Sequence, residues 1–290
     1  MTLDSGPGTL DRPKGPDVRI GESPPALAAD AAELFMQRAQ RAAEGGGLFR
    51  VALSGGSTPR LLYGLLASET FQGEIPWGRI QFFFGDERWV PHTHRDSNYK
   101  MARDELFRNV NQTPAGVFPI PTEGLTPEEA AEQYAATLRR EFGVLPGIGG
   151  RGSGVGPEAD PIPTPASGYP RSPIPEFDLI FLGMGDDGHT ASLFPHTPAL
   201  KEREKLVVAN YVEKLSAQRI TLTAPVLTAA QLVVFLVTGE SKAPALREVL
   251  EGEYNPEEYP AQFLRDAQGE VIWFVDKAAA SQLKMKYREI

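Results

Sequence analysis

Phe177-Asp178-Leu179-Ile180-Phe181-Leu182 runs directly into Gly183-Met184-Gly185-Asp186-Asp187-Gly188-His189-Thr190-Ala191-Ser192-Leu193-Phe194-Pro195. The first part is a short apolar run bounded by glycine, the pattern of a strand buried on both faces of a sheet. The second part changes character within two residues: three glycines, two carboxylates and a histidine make a turn through which the backbone can approach a ligand closely. In an open parallel sheet the ligand crevice lies beyond the carboxyl ends of the strands, so this strand would deliver Asp186, Asp187 and His189 to it. Histidine can take a proton near neutral pH, and a neighbouring carboxylate can fix its tautomer. The plainer alternative is a helix N-cap with a structural histidine behind it.

The same sequence of strand, polar turn and helix recurs on either side. Leu48 to Leu53 reads as a strand running into Ser54-Gly55-Gly56-Ser57-Thr58-Pro59, followed by the helical pattern of Leu61, Leu62, Leu65 and Leu66. Free backbone N–H groups at such a helix start form an anion cradle. An ordinary capped turn is the alternative, but two adjacent glycines flanked by serines exceed what a cap needs. No lysine follows the glycines, so this is not a Walker A loop. Arg79 to Phe84 reads as a second such strand, ending in Gly85-Asp86-Glu87-Arg88-Trp89-Val90-Pro91. Asp86 is a candidate ligand for sugar hydroxyls and Arg88 for a phosphate or an oxyanion, the alternative being a mutual surface ion pair, which suits Glu87 almost equally well. His92 and His94 lack further ligands nearby, so no metal site is expected. Asp96-Ser97-Asn98 should cap a helix reaching Leu106 and Phe107.

Beyond the central stretch, Leu206 to Ala209 and Gln218 to Leu222 read as strands, with Arg219 either facing solvent or pointing into a site. Leu232 to Val237 is a further buried strand whose exit carries Lys242, another candidate anion ligand, and Val271 to Val275 is the last strand, with Asp276 as a helix cap. Ser23 should cap a helix opening at Pro24 and Pro25 and ending at Gly45-Gly46-Gly47, and Thr126-Pro127-Glu128-Glu129 is a capping box. Residues 1–22 read as a flexible leader and 23–290 as a single α/β domain. Residues 145–175, rich in glycine and proline, read as an exposed irregular insertion. A linker between two domains would look the same, but the alternation of strands and helices continues after it, which favours one sheet.

Composition narrows the function. The 290 residues are 41% hydrophobic, enough for a large core, and contain no cysteine, which excludes disulfides and thiolate zinc and suits the reducing cytoplasm. Neither a signal peptide nor a membrane span is expected. A formal net charge of -9 argues against nucleic acid as a partner, so any phosphate site must be built locally.

Taken in order, the Ser54 to Pro59 loop, Gly85 to Pro91 with Asp96-Ser97-Asn98, Gly183 to Pro195, Arg219-Ile220-Thr221-Leu222-Thr223 and Thr238 to Lys242 resemble the bacterial-type 6-phosphogluconolactonases, which are related to the glucosamine-6-phosphate isomerase/deaminase superfamily. The resemblance runs from about Ser23 to Ala280. It implies a doubly wound, mostly parallel sheet with helices on both faces around a Rossmann-like core, no cofactor, and hydrolysis of 6-phospho-D-glucono-1,5-lactone; the expected assembly is a monomer or homodimer. It also implies roles by position: His189 as general base, and the loop of Ser54, Gly55, Gly56, Ser57 and Thr58, with Arg88, Arg219 and Lys242, around the substrate and its phosphate. From the residues themselves, Asp187 is expected to orient the imidazole or the sugar and Asp86 to bind sugar hydroxyls. Two features depart from the family pattern: the insertion is long, and His196 stands where glycine is usual.

The deaminases of the superfamily follow the shared Asp-Gly-His turn with a segment carrying a glutamate. Here Ala191-Ser192-Leu193-Phe194-Pro195 has no carboxylate, and Leu193 and Phe194 read as packing residues on a short helix. This favours a lactonase. A non-catalytic sugar-phosphate sensor of the kind found in bacterial repressors would need a helix-turn-helix ahead of the domain, and none is expected before Ser23.

Overall fold

The computed structural model describes residues 16–144 and 174–290. The chain enters through β1 (Asp17–Gly21), α1 (Pro24–Glu44), β2 (Phe49–Leu53), α2 (Ser57–Leu66), the single turn α3 (Glu69–Gln72) and β3 (Ile80–Phe84). It continues through β4 (Asp86–Arg88), α4 (Asn98–Ala102), β5 (Gly116–Val117), α5 (Pro127–Phe142) and β6 (Leu179–Leu182). It ends with β7 (Val207–Val212), β8 (Ala217–Leu222), α6 (Ala224–Thr228), β9 (Leu232–Val237), α7 (Ala243–Glu251), β10 (Glu270–Asp276) and β11 (Arg288–Glu289). No described helix is long and apolar enough to cross a membrane.

Eight of these strands form one sheet in the order β11-β1-β10-β9-β6-β2-β3-β5, every pair parallel. From β2 the chain steps outward to β3 and β5. It then returns to the other flank of β2 with β6 and proceeds to β9 and β10. The direction therefore reverses between β2 and β6, and the crevice at that reversal is flanked by the loops that follow those two strands. The loops after β3 and β9 stand one strand further out on the same edge.

Successive phenylalanines on β3 show that both faces are covered. Phe82 stacks on Phe35 of α1 (6.2 Å between centroids), while Phe83, pointing the other way, meets Phe142 of α5 at 5.3 Å and Phe177 at 5.4 Å. The fold is thus the expected doubly wound α/β architecture.

Helix ends follow their sequence signals. The Ser23 hydroxyl accepts from the Ala26 amide, and Thr126 and Glu129 form a reciprocal capping box. The Ser97 hydroxyl accepts from the Lys100 amide at 3.1 Å, but α-helical geometry lasts only to Ala102 and one π-helical turn, Arg103–Phe107, follows.

Two expectations are corrected, and others fall outside the described residues. Residues 17–21, assigned to the leader, form β1, which pairs with β10 along its length. Its alternation was obscured because Asp17 and Arg19 flank the buried Val18 and bond to each other at 2.7 Å. Asp86–Arg88, read as loop, is a strand. It joins β8 and β7 in a second, antiparallel sheet of three, order β4-β8-β7, so the strands around Arg219 do not extend the main sheet. Of the proposed insertion, residues 145–173 lie outside the described residues, as do residues 1–15 of the leader.

Two buried tyrosines hold the strand ends from which site loops depart. The Tyr63 hydroxyl on α2 receives the Ser54 amide at 3.1 Å and donates to the Ser54 carbonyl at 2.7 Å. Tyr134 on α5 does the same at Phe84, at 2.8 and 3.1 Å. Burial pushes both phenols well above their ordinary value, so each remains a donor. Replacing either by phenylalanine leaves a buried amide and carbonyl without partners. Tyr63→Phe and Tyr134→Phe should each cost about 1–3 kcal/mol in denaturant unfolding, and their effects should add because they act on different strands.

Candidate active site

The loop after β6 is a tight structure closed on itself. The Gly185 amide donates to the His189 carbonyl at 2.8 Å, and the Gly188 amide to the Gly185 carbonyl at 3.2 Å. The Asp187 carboxylate accepts the His189 amide through Oδ1 at 3.2 Å, and the same oxygen lies 2.6 Å from His189 Nδ1. A carboxylate only accepts, so Nδ1 carries the proton and Nε2 is left as the free acceptor. Gly185 is dictated by this contact: a Cβ there would come within 2.0 Å of Nδ1 and 2.6 Å of Asp187 Oδ1. Partial burial raises the Asp187 carboxyl, but the bond to His189, its charge and Lys214 outweigh burial and hold the group well below the usual carboxylate range.

The residues after His189 complete the mount. Phe194 stacks on the imidazole with centroids 3.8 Å apart and an interplanar angle of 21°, and Leu193 is fully buried. Both are packing residues, as expected, but not on a helix. Ala191 takes a positive φ of 49°, which interrupts helical geometry, and the Leu193 amide closes a short turn onto the Thr190 carbonyl at 3.0 Å. No carboxylate occurs from Thr190 through Pro195.

Hydrogen bonds tie the other loops to this one. Asp86 at the start of β4 is buried, with Oδ2 accepting the Ser192 hydroxyl at 2.6 Å and Oδ1 accepting Asn98 Nδ2 at 3.1 Å. Gly55 passes so close to Asn98 that a Cβ would lie 2.0 Å from its Oδ1. Gly56, with φ 120°, turns the chain into α2, whose Thr58 hydroxyl lies 2.8 Å from that of Thr238 after β9. Ser57 is exposed in the first turn of α2. The loops after β2, β3, β6 and β9 are thus linked side by side.

Arg88 and Arg219 face each other in register across β4 and β8, an arrangement that like charges oppose. Burial first, and then the neighbouring Arg88 charge, hold Arg219 below the ordinary guanidinium value. Both line an open cavity of about 500 Å³ with Trp89, Asp96 and Gln218. Arg88 donates to the Asp96 carbonyl at 2.7 Å, yet its Nε and that of Arg219 are buried with no hydrogen-bond partner among the described residues. The Ser54 hydroxyl and Asn98 Oδ1 share that condition. Unpaired buried polar atoms are costly, and the two guanidinium Nε atoms beside this cavity are groups that a polar ligand can complete.

Lys242, in the short 3-10 turn Glu240–Lys242 ahead of α7, lies on the same sheet edge without a charged partner among the described residues. Glu87 does not form the surface ion pair considered for it. It is buried, and its carboxylate accepts the Arg88, Asn98 and Tyr99 amides and the Ser97 hydroxyl at 2.7–3.0 Å, so it shapes the loop from inside. His92 Nε2 lies 2.8 Å from the Ile120 carbonyl, and His94 stands beside Asp96. His196 is exposed, with φ 59°, between Glu257 and Glu258. Sequence reading overlooked Ser192, which bridges to Asp86, and Lys214, whose Nζ lies 3.0 Å from Asp187 Oδ2. The hairpin of β7 and β8 that carries Lys214 is local, but the approach of its turn to the loop after β6 has no local signal.

Comparison with known proteins shows the family and the fold. The family model described as glucosamine-6-phosphate isomerases/6-phosphogluconolactonase matches residues 22–273. A 6-phosphogluconolactonase of Synechocystis sp. is 41% identical over 234 residues, covering 81% of this chain and 84% of the relative. The 6-phosphogluconolactonase of Homo sapiens is 38% identical over 280 residues, 94% of this chain and 95% of the relative. Among solved structures, 6-phosphogluconolactonase from Leishmania guyanensis superposes with a TM-score of 0.76 at 27% identity, covering 93% of this chain and 99% of the other. A monomeric glucosamine-6-phosphate deaminase shares the fold, with a TM-score of 0.69 at 20% identity. The chain belongs to the family of glucosamine-6-phosphate isomerases and 6-phosphogluconolactonases.

Proposed function

We propose that this chain is a lactone hydrolase that converts 6-phospho-D-glucono-1,5-lactone to 6-phospho-D-gluconate in the oxidative pentose phosphate pathway. The observation that carries the reading is the Asp187–His189 contact of 2.6 Å, which leaves Nε2 as a base at the crevice between β2 and β6. Nε2 takes a proton from water, and the hydroxide adds to the lactone carbonyl. The tetrahedral oxyanion needs a nearby cation or N–H donors, for which Arg88 and Arg219 with their unpaired Nε atoms are the candidates. Collapse expels the ring oxygen, which recovers the proton from the imidazolium and becomes a hydroxyl of the open acid. Atoms and charge balance without a cofactor. Asp187 stabilises the transient imidazolium and fixes its tautomer.

The phosphate falls to the remaining cations and to the start of α2. The Ser54 to Thr58 turn offers backbone amides, a buried unpaired hydroxyl at Ser54 and exposed Ser57, with Lys242 on the next loop. A dianion held at the remote end of the sugar turns binding energy into orientation at the carbonyl. Asp86 contributes indirectly, since both its oxygens are engaged in holding Asn98 and Ser192. The reaction is assigned to the cytoplasm, which suits a chain without cysteine.

Lactone hydrolysis is favoured over amino-sugar deamination by the residues that cover the imidazole. Moving protons between neighbouring sugar carbons calls for a second titrating group beside the histidine, whereas the segment after His189 supplies Leu193 and the stacked Phe194. Purified protein should hydrolyse 6-phosphogluconolactone well above the spontaneous rate and release no ammonia from glucosamine 6-phosphate. Stoichiometric ammonia with fructose 6-phosphate would reverse the assignment.

His189→Ala should lower kcat by about two to four orders of magnitude with KM nearly unchanged. Gly185→Ala should lose a comparable amount by displacing the imidazole, while circular dichroism shows a folded protein. A His189→Ala enzyme with most of its kcat would remove this histidine from the mechanism. Arg88→Ala and Arg219→Ala should lower kcat/KM for both lactones alike, whereas Ser54→Ala, Ser57→Ala and Lys242→Ala should each reduce the preference for the phosphorylated lactone over free gluconolactone, measured as the ratio of kcat/KM. An unchanged ratio in all of the last three would place the phosphate elsewhere.

A further inference from the structure

Asp187 has two carboxylate oxygens with different tasks. Oδ1 serves the His189 amide at 3.2 Å and ring Nδ1 at 2.6 Å. Oδ2 is met at 3.0 Å by Lys214 Nζ, which arrives from the other sheet. Lys214 sits in the 3-10 turn Glu213–Leu215 joining β7 to β8, and the next residue, Ser216, takes left-handed geometry with φ 47° to close the hairpin. That conformation is uncommon for a residue with a side chain, so the hairpin holds a defined shape at some cost in strain. The titratable groups of the cluster are Asp186, whose Oδ1 is 3.8 Å from Nζ, Asp187 and His189 on the loop after β6, and Lys214 from the hairpin. Tyr259 packs on Gly188 from a further segment, and Phe194 covers one face of the imidazole.

We propose that Lys214 is a positioning residue for the His189–Asp187 pair: by holding Oδ2 it keeps Oδ1 aimed at Nδ1, and so keeps Nε2 free to act on substrate. This rests on the hydrolase reading above and deepens it. A carboxylate with one unheld oxygen can rotate and exchange the two. An ammonium on Oδ2 makes them inequivalent and fixes the plane of the group. The contact does not serve folding, since Lys214 is 60% exposed and Asp187 21%, and ion pairs that open contribute little to stability. The electrostatics run the same way: the bond to Asp187 raises Lys214 above its ordinary value, and Asp187 stays low despite partial burial.

The charge has a second effect with a definite sign. A cation beside Asp187 opposes the gain of another positive charge nearby, so its removal makes protonation of the imidazole easier. Activity that requires the unprotonated base is then lost at higher pH on the acid side.

Three variants test the proposal in the full-length protein. Lys214→Met should lower kcat by roughly fivefold, the scale of one partly exposed charge interaction, with KM and melting temperature nearly unchanged. It should also move the acid limb of the kcat–pH profile upward by roughly half a pH unit. Lys214→Arg should restore most of both. Asp187→Asn combined with Lys214→Met should be no worse than Asp187→Asn alone, because the lysine acts through the carboxylate. A rise in KM without loss of kcat would make Lys214 a substrate ligand and overturn the proposal, as would kcat and a profile identical to those of the parent. Nitrogen-edited NMR of the His189 ring provides a readout independent of turnover. The Nδ1 proton resonance should shift or broaden in Lys214→Met, and an unchanged resonance overturns the proposal even if the parent hydrolyses no lactone. Absence of hydrolysis in the parent would instead defeat the hydrolase reading alone.

Discussion

The parallel pairing of β2 with β6, Val51 beside Leu179 and Ala52 beside Ile180, joins the two wings of the main sheet. On one side lie β3 and β5, and on the other β9, β10, β1 and β11. Both partners are buried on both faces, so their polar backbone must be satisfied within the sheet, and neither can slip without exposing apolar side chains. The glycine-rich loops at their carboxyl ends, each beginning at a fixed strand, are therefore presented next to each other at a constant height. Tyr63 and Tyr134 extend this control by one residue past β2 and at the last residue of β3, where the backbone leaves the ladder.

The small antiparallel sheet works differently. It adds little to the shared core and carries instead the groups whose placement is energetically awkward: Arg88 opposite Arg219, and Lys214 at its turn. Opposed guanidiniums are tolerable in a protein of net charge -9, because the acidic background lowers the cost of concentrating cations in one place. They also make the place selective for anions. In the hydrolase reading the same sheet supplies cations both to the substrate and to the back of the base, so local positive charge serves binding and proton transfer together.

Much of the candidate site was legible because its signals are local. Gly185, Asp187 and His189 lie within one turn, and the geometry that excludes a side chain at Gly185 is built from residues two and four positions on. The capping box at Thr126 and the Ser23 cap are likewise properties of four adjacent residues. Glu87 was harder, since its sequence neighbours are charged and only burial reveals that it accepts backbone amides from α4. Strand β1 escaped because half of its side chains are charged and its pairing partner β10 lies at the far end of the chain.

The sequence by itself determined the alternation of core strands, polar turns and helices, the turn that brings Asp187 to His189, and the positions at which helices begin. Each of these depends on contacts within a few residues, where chain connectivity leaves few alternatives. Tertiary structure alone decided that Arg88 and Arg219 stand in register, that Ser192 holds Asp86, and that Lys214 reaches the second oxygen of Asp187. These contacts join residues distant along the chain. Their geometry follows from how the three-stranded sheet is placed beside α5 and the loops of the main sheet, and no local pattern encodes that placement.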